Sequence, residues 1–305
     1  MPTPLFIRIE SIQKRLKINP TGIFNTETCQ QIEQLKQINV PSGSLILDRK
    51  KAIQRSLGFT GKDVDGIVGP ATLTRIEDFL NIALPTIPAG ASMIVSKRAL
   101  DIIINSEISS KAAYLTKYKF PVWPGLESGI TIGIGYDLGF VSPTQFQLDW
   151  GGSLPATIFD TLKTVVEKKG NNAKLALTTS VKKIEVSWEI ALEVFYTKSM
   201  PKYAVDTRRA FPGIEKLPPD AQGALLSLVY NRGALIDNSD RRREMKNIVG
   251  HVASGKLSKI ANEIRSMKRL WNYNTFRGLH IRRDKEADLV ANATFFMQSH
   301  EYIFV

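Results

Sequence analysis

Residues 125–139 read G-L-E-S-G-I-T-I-G-I-G-Y-D-L-G. Ile130, Ile132 and Ile134 alternate with smaller residues, the period-two pattern of a half-buried strand. Glycines at 129, 133, 135 and 139 let the backbone turn sharply or approach another group. Such a ribbon suits holding Thr131 and Asp137 opposite a third residue. Upstream, Ser96 is a candidate N-cap for a helix whose apolar stripe is Leu100, Ile103, Ile104 and Ile108. Glu107 projects from that stripe, and helix geometry leaves two settings open. In one, apolar surroundings raise its pKa toward that of a general acid. In the other, it sits at the stripe's edge and reaches water or a basic partner.

The chain has 305 residues, which predicts one large or two unequal domains. Its hydrophobic fraction of 43% is ordinary for a globular protein. A net charge of +12 favours anionic partners. Cys29 is the one cysteine, and His251, His280 and His300 are the only histidines, so neither a disulfide framework nor zinc-ligand spacing is present. No cofactor is expected. The N-terminus lacks the basic-then-apolar pattern of a signal peptide, and no window is apolar enough to span a membrane.

An internal repeat occupies residues 5–80. Residues 12–16 read I-Q-K-R-L and 21–32 read T-G-I-F-N-T-E-T-C-Q-Q-I; residues 53–57 read I-Q-R-S-L and 65–76 read D-G-I-V-G-P-A-T-L-T-R-I. Each copy predicts a helix, a glycine turn and a second helix, with Asn25 or Gly69 just ahead of that second helix. The pattern resembles the peptidoglycan-binding domain of cell-wall hydrolases, in which I-Q-x-x-L and D-G-I-x-G-P-x-T recur. The second copy carries the pattern through Asp65, Gly66, Ile67, Gly69, Pro70 and Thr72, whereas the first has Thr21 and Asn25 at two of those positions. A purely structural use of the motif, with Asp65 capping its own turn, is the alternative. Pro85, Pro88 and the lack of charge mark a linker. The expected organisation is therefore a module over 1–82, a linker over 83–95 and a second domain over 96–305.

Beyond the ribbon, helices are expected over 160–168, from Ser187 to about Arg209, and over 224–230, with a break at 170–172. Residues 257–297 predict two or three amphipathic helices with Trp271, Leu279, Leu289 and Phe296 inward. Their basic residues, among them Arg265, Lys268, Arg269, Arg277, Arg282, Arg283 and Lys285, are expected to serve solubility and attraction to anionic polymers.

Three motifs in order make residues 96–297 resemble the phage-type lysozymes. They are T-I-G-I-G at 131–135, A-L-L-S-L-V-Y-N-R-G at 224–233 and G-L-H-I-R-R-D-K-E-A-D-L at 278–289. The resemblance implies an α+β, mostly helical fold: a lysozyme-like domain with a small β-hairpin lobe, preceded by the small all-α module. It also implies a catalytic Glu at Glu107 and a Thr at Thr131. The family's usual Asp position is Gly125 here. The pesticin-like variant of the family places its Asp after the Thr instead, which selects Asp137 over Glu127. Tyr136 stands where the family commonly has His, and would pack or line the cleft. Asn231 would reach substrate or cap its helix.

The activity so implied is hydrolysis of the β-1,4 bond between N-acetylmuramic acid and N-acetylglucosamine in peptidoglycan. Glu107 would be the acid, Asp137, on an exposed ribbon, the ionised base, and Thr131 would orient water. Inversion would place the two carboxyls about 6.5–9.5 Å apart. The alternatives are a lytic transglycosylase, which needs no second carboxylate, and a non-catalytic binder of cell wall or nucleic acid. Expected partners are peptidoglycan and anionic wall or outer-membrane polymers, with an immunity protein if the chain is an exported effector; nucleic acid is not expected. A monomer acting on the wall after holin release or export is the anticipated setting.

Overall fold

The computed structural model describes residues 4–81, 87–295, 297 and 301–305. Residues 82–86 of the linker, Phe296 and His300 lie outside the described residues. The architecture is α+β and mostly helical, 61% helix and 4% strand.

The repeat forms α1 (Pro4–Arg15), α2 (Thr26–Lys36), α3 (Ile46–Ser56) and α4 (Pro70–Phe79). Ile12, Cys29, Ile32, Ile53, Leu73 and Ile76 make its own small core. Each copy is closed by a glutamine. Gln13 accepts from the Thr21 and Gly22 backbones and donates to Thr28 Oγ1 at 2.9 Å. Gln54 repeats this, accepting from Gly66 N at 2.7 Å and donating to Asp65 Oδ1 and Thr72 Oγ1. Asp65 Oδ1 also caps Ile67 N. The recurring Gln, Gly and Thr thus serve their own turns, and a fully buried side-chain amide satisfies backbone groups that would otherwise be orphaned.

A larger core gathers residues from Met93 to Val305. Strand β1 (Ile94–Ser96) pairs antiparallel with the last strand, β4 (Tyr302–Phe304), Ile94 opposite Phe304. Helix α5 (Lys97–Ile108) follows, capped by Ser96 accepting from Ala99 N. A short α6 (Lys111–Ala113) leads through a π-helical turn to the hairpin of β2 (Thr131–Ile132) and β3 (Tyr136–Asp137). Then come α7 (Pro143–Trp150), α8 (Ala156–Lys163), α9 (Gly170–Ala176), α10 (Thr179–Lys182) and α11 (Trp188–Val194). Helix α12 (Met200–Ala210) precedes α13 (Pro219–Arg232), which is buried on all sides from Pro219 to Val229. A helix buried all round has no solvated face and lies at the centre, with Asp220, Gln222 and Ser227 on it needing partners. Its start is tied to α5 by Arg98 donating to Asp220 Oδ1 at 2.6 Å, and to β1 by Ile94 N donating to Gln222 Oε1 at 3.1 Å. Helices α14 (Arg243–Ala253), α15 (Leu257–Ser266) and α16 (Arg277–Ala291) and strand β4 (Tyr302–Phe304) complete the chain. After α16, Thr294 donates to Glu77 and Phe295 packs on the smaller core, so the end of the chain touches α4.

Several expectations need correction. The helix expected over 160–168 starts and ends earlier. The reversal falls at Glu167 (φ 63) and Gly170 (φ 54), so residues 170–172 open α9 and do not break a helix. On α16 the inward residues are Arg282, Arg283, Glu286, Ala287 and Val290, whereas Leu279 and Leu289 are only half-buried. A hydrophobicity reading places charges outside by default, and here mutual pairing overrides that default.

Replacing Gln54 by Leu should leave the Gly66 N–H buried without a partner. A loss of about 1–3 kcal/mol of module stability is expected, read by urea denaturation; an unchanged midpoint would show that the glutamine is dispensable.

Candidate active site

Glu107 lies one residue before the end of α5, where Leu100, Ile103, Ile104 and Ile108 face the core. Its side chain is 25% exposed and ends in an ion pair: Arg282 Nη1 donates to Glu107 Oε1 at 2.9 Å. Of the two settings open to Glu107, the structure shows the basic partner. Arg282 is 3% exposed and also donates to Ser227 O at 3.0 Å and Glu286 Oε1 at 3.2 Å. Arg283 donates to the same Glu286 oxygen at 2.7 Å. Arg282 and Arg283 are therefore not surface residues serving solubility. They are the buried core of a network joining α5, α13 and α16.

The hairpin is held from three sides. Thr131 exchanges both backbone hydrogen bonds with Val122, at 2.7 and 3.0 Å, and pairs with Asp137 across the hairpin. Tyr230 on α13 donates to Ile134 O at 2.7 Å and pins the turn. At Gly135 (φ +71) an added Cβ would lie 3.1 Å from both Glu107 Oε2 and the Tyr230 hydroxyl. Only a glycine lets the hairpin pass this close to the carboxylate.

The Asp137 carboxylate accepts from Gly139 N at 2.8 Å and from Gly129 N at 3.0 and 3.2 Å. A Cβ on Gly129 would fall 2.3 Å from Asp137 Oδ1, so that glycine makes room for the carboxylate. Burial raises the Asp137 pKa, while the two backbone N–H donors and the charge of Lys169 oppose the rise. This corrects the expectation of an exposed ribbon: Asp137 is half-buried and also serves its own turn.

A cleft of about 760 Å³ runs between α5, the hairpin and the end of α13. Glu107, Thr131, Asp137 and Asn231 all line it. Tyr136 does not. Its hydroxyl donates to Asp149 Oδ2 at 2.6 Å, its ring meets Trp150 edge-on, and it borders a smaller cavity of about 200 Å³ behind the hairpin. Of the two uses open to Tyr136, packing or lining the cleft, the structure shows packing, because β3 turns alternate side chains to opposite faces. Glu127 is exposed and does not line the cleft.

Sequence reasoning missed four cleft features. Trp123 lines the cleft and is oriented by its indole N–H donating to Ser128 O at 3.0 Å. Tyr203 and Tyr230 meet at a tilt of 49°, with 4.5 Å between centroids. Burial raises the Tyr203 pKa, and the charges of Glu107, Asp206 and Asp137 add to the rise. The hydroxyl of Tyr203 thus feels both candidate carboxylates. The sequence shows Arg282 as one of a set of basic residues and as part of the motif at 278–289, with no role at Glu107. The R-R-x-x-E spacing, which puts Arg282 and Glu286 on one helical face, was the available signal.

The chain matches no known protein-family profile, and no curated protein matches it. None of the described helices is long and apolar enough to cross a membrane.

Substituting Arg282 by Met should cost about 3–5 kcal/mol, because Glu107 and Glu286 lose a buried partner; thermal and urea unfolding measure it. Asp137 gives a pH test. Its native pKa is raised, so its contribution to stability is fully present below the unfolded pKa and is lost as pH rises through the folded one. The stability of wild type minus Asp137→Asn should therefore fall across that window, and a difference that rises with pH would refute the assignment.

Proposed function

We propose that the chain is a modular peptidoglycan hydrolase with a lysozyme-like domain over 96–305, cleaving the β-1,4 bond between N-acetylmuramic acid and N-acetylglucosamine. The observation that carries this reading is the convergence of Glu107, Thr131 and Asp137 on one cleft, with Gly135 bringing the hairpin against the Glu107 carboxylate. A cleft of about 760 Å³ has the size of a small-ligand site. Trp123 and Tyr118 supply ring surface along it for sugar rings. In glycoside hydrolysis one carboxyl group protonates the departing oxygen and another activates water or stabilises the oxocarbenium-like sugar. Glu107 takes the first role, with Arg282 fixing its orientation. Asp137 takes the second, and Thr131, its cross-strand partner, positions the water.

The domain at 1–82 is read as a wall-anchoring module. Its motif Gln, Gly and Thr are occupied by the turns, which leaves the motif isoleucines as the surface it offers. Ile23 and Ile67, equivalent residues of the two copies, are 64% and 68% exposed. Anchoring would raise the effective concentration at an insoluble substrate.

One observation favours a second reading. The Asp137 carboxylate already accepts from the Gly129 and Gly139 backbones, which suits a hairpin-holding role. A lytic transglycosylase needs only the acid. Both backbone donors reach Asp137 Oδ1, so an Asn can keep those bonds while removing the charge. Muropeptides released from purified peptidoglycan, analysed by mass spectrometry, decide between them. Hydrolysis by this mechanism predicts reducing-end products, a loss of at least about 100-fold for Asp137→Asn, and no clearing by Glu107→Gln in a zymogram. Anhydromuramyl products with an active Asp137→Asn support transglycosylation, and equal clearing by wild type and Glu107→Gln removes Glu107 from the chemistry.

A further inference from the structure

Next to the cleft lies a second cavity of about 390 Å³ lined by Arg232, Arg241, Arg242, Ser239, Trp271 and Leu279, and joined to the cleft through Asn231, which lines both. Three arginines line one small space. None of the three forms an ion pair among the described residues. Arg232 donates to the Arg241 carbonyl and Arg242 to Met245 Sδ, and the Arg232 Nε–H is buried with no partner. The nearby acids bond to other groups: Glu244 accepts from Arg269 at 2.5 Å, Asp240 from the same Arg269 at 2.7 Å, and Asp237 from Ser239 N at 2.8 Å, so that Glu244 and Asp237 act on Arg232 and Arg242 through charge alone. The Arg232 guanidinium is steadied over the Trp271 ring, 5.2 Å from its centroid. Burial and then the charges of Arg242, Arg283 and Arg241 lower the Arg232 pKa to about 10. Crowding like charges is unfavourable for the free protein and is relieved by a bound anion.

We propose that this arginine pocket is a subsite for a carboxylate on the peptide stem of the polymer whose glycan lies in the cleft. Planar guanidinium forks match a carboxylate bidentately, and the shared Asn231 puts the pocket one residue from the cleft wall. The inference rests on the glycan-cleaving reading above and names the substrate feature that the site recognises. Phosphate presents similar oxygens, so inorganic phosphate is the competing source of the same chemistry.

The test is a two-by-two cycle with the full chain. Wild type and Arg241→Gln/Arg242→Gln are assayed on purified peptidoglycan stripped of phosphate-bearing polymers, either native or with its stem carboxyls amidated by carbodiimide coupling. Arg241 is exposed and Arg242 half-buried, and circular dichroism melting of both proteins, with Arg241→Gln alone as a milder variant, checks the fold. The half-saturating concentration on native polymer should rise about tenfold in the double variant. Amidation should raise it by a similar factor for wild type and add nothing for the variant, since both changes remove one interaction. Equal penalties on both polymers, or a wild type indifferent to amidation, overturn the pocket while leaving the hydrolase reading intact. Inhibition of wild type by millimolar inorganic phosphate with no effect of amidation assigns the pocket to free phosphate and also overturns it. No muropeptides from wild type on either polymer overturns both readings together.

Discussion

A charge taken almost wholly out of water must find partners, and at the centre of this protein that charge is the guanidinium of Arg282. Taking a charge out of water costs several kcal/mol unless opposite charge and hydrogen bonds compensate. Arg282 finds Glu286 one turn along its own helix, Ser227 on the central helix and Glu107 at the end of α5. The three helices are thus held in one arrangement by a group that none of them can release cheaply. Glu107 is consequently not a loose surface acid but the part-exposed end of an otherwise buried network.

The hairpin answers a second constraint. Two short strands are too few to be stable alone, and their neighbours supply what is missing: Val122 on the outer side, Tyr230 on the turn, and Asp137 closing the base onto Gly129 and Gly139. One residue therefore serves structure and borders the cleft at once. The same economy appears in the N-terminal repeat, where Gln13 and Gln54 each close a turn and thereby account for most of the motif.

Much of this was legible in the chain. Ser96 and Ser187 were readable as N-caps because a short hydroxyl ahead of an apolar-periodic run has few other uses, and both accept the backbone bond in the structure. The mostly apolar stretch around Ala224–Val229 announced a central helix, and the glycine-rich alternation after Gly129 announced a ribbon. Helix limits near residue 170 were not legible, since the reversal falls on Glu167 as well as Gly170, and a Glu in the left-handed region carries no local signal.

By itself the sequence determined the repeats, the caps, the period of each element and the short roster of acids from which a site would have to be drawn, because these depend on spacing along a single segment. The tertiary structure decided which acids meet. Tyr136 was sent behind the hairpin by strand alternation and the pull of Asp149, Asp137 was drawn half inside by two backbone donors, and Arg282 was turned inward to Glu107, 175 positions away along the chain. Those outcomes depend on desolvation and pairing between distant segments, and no local pattern carries that information.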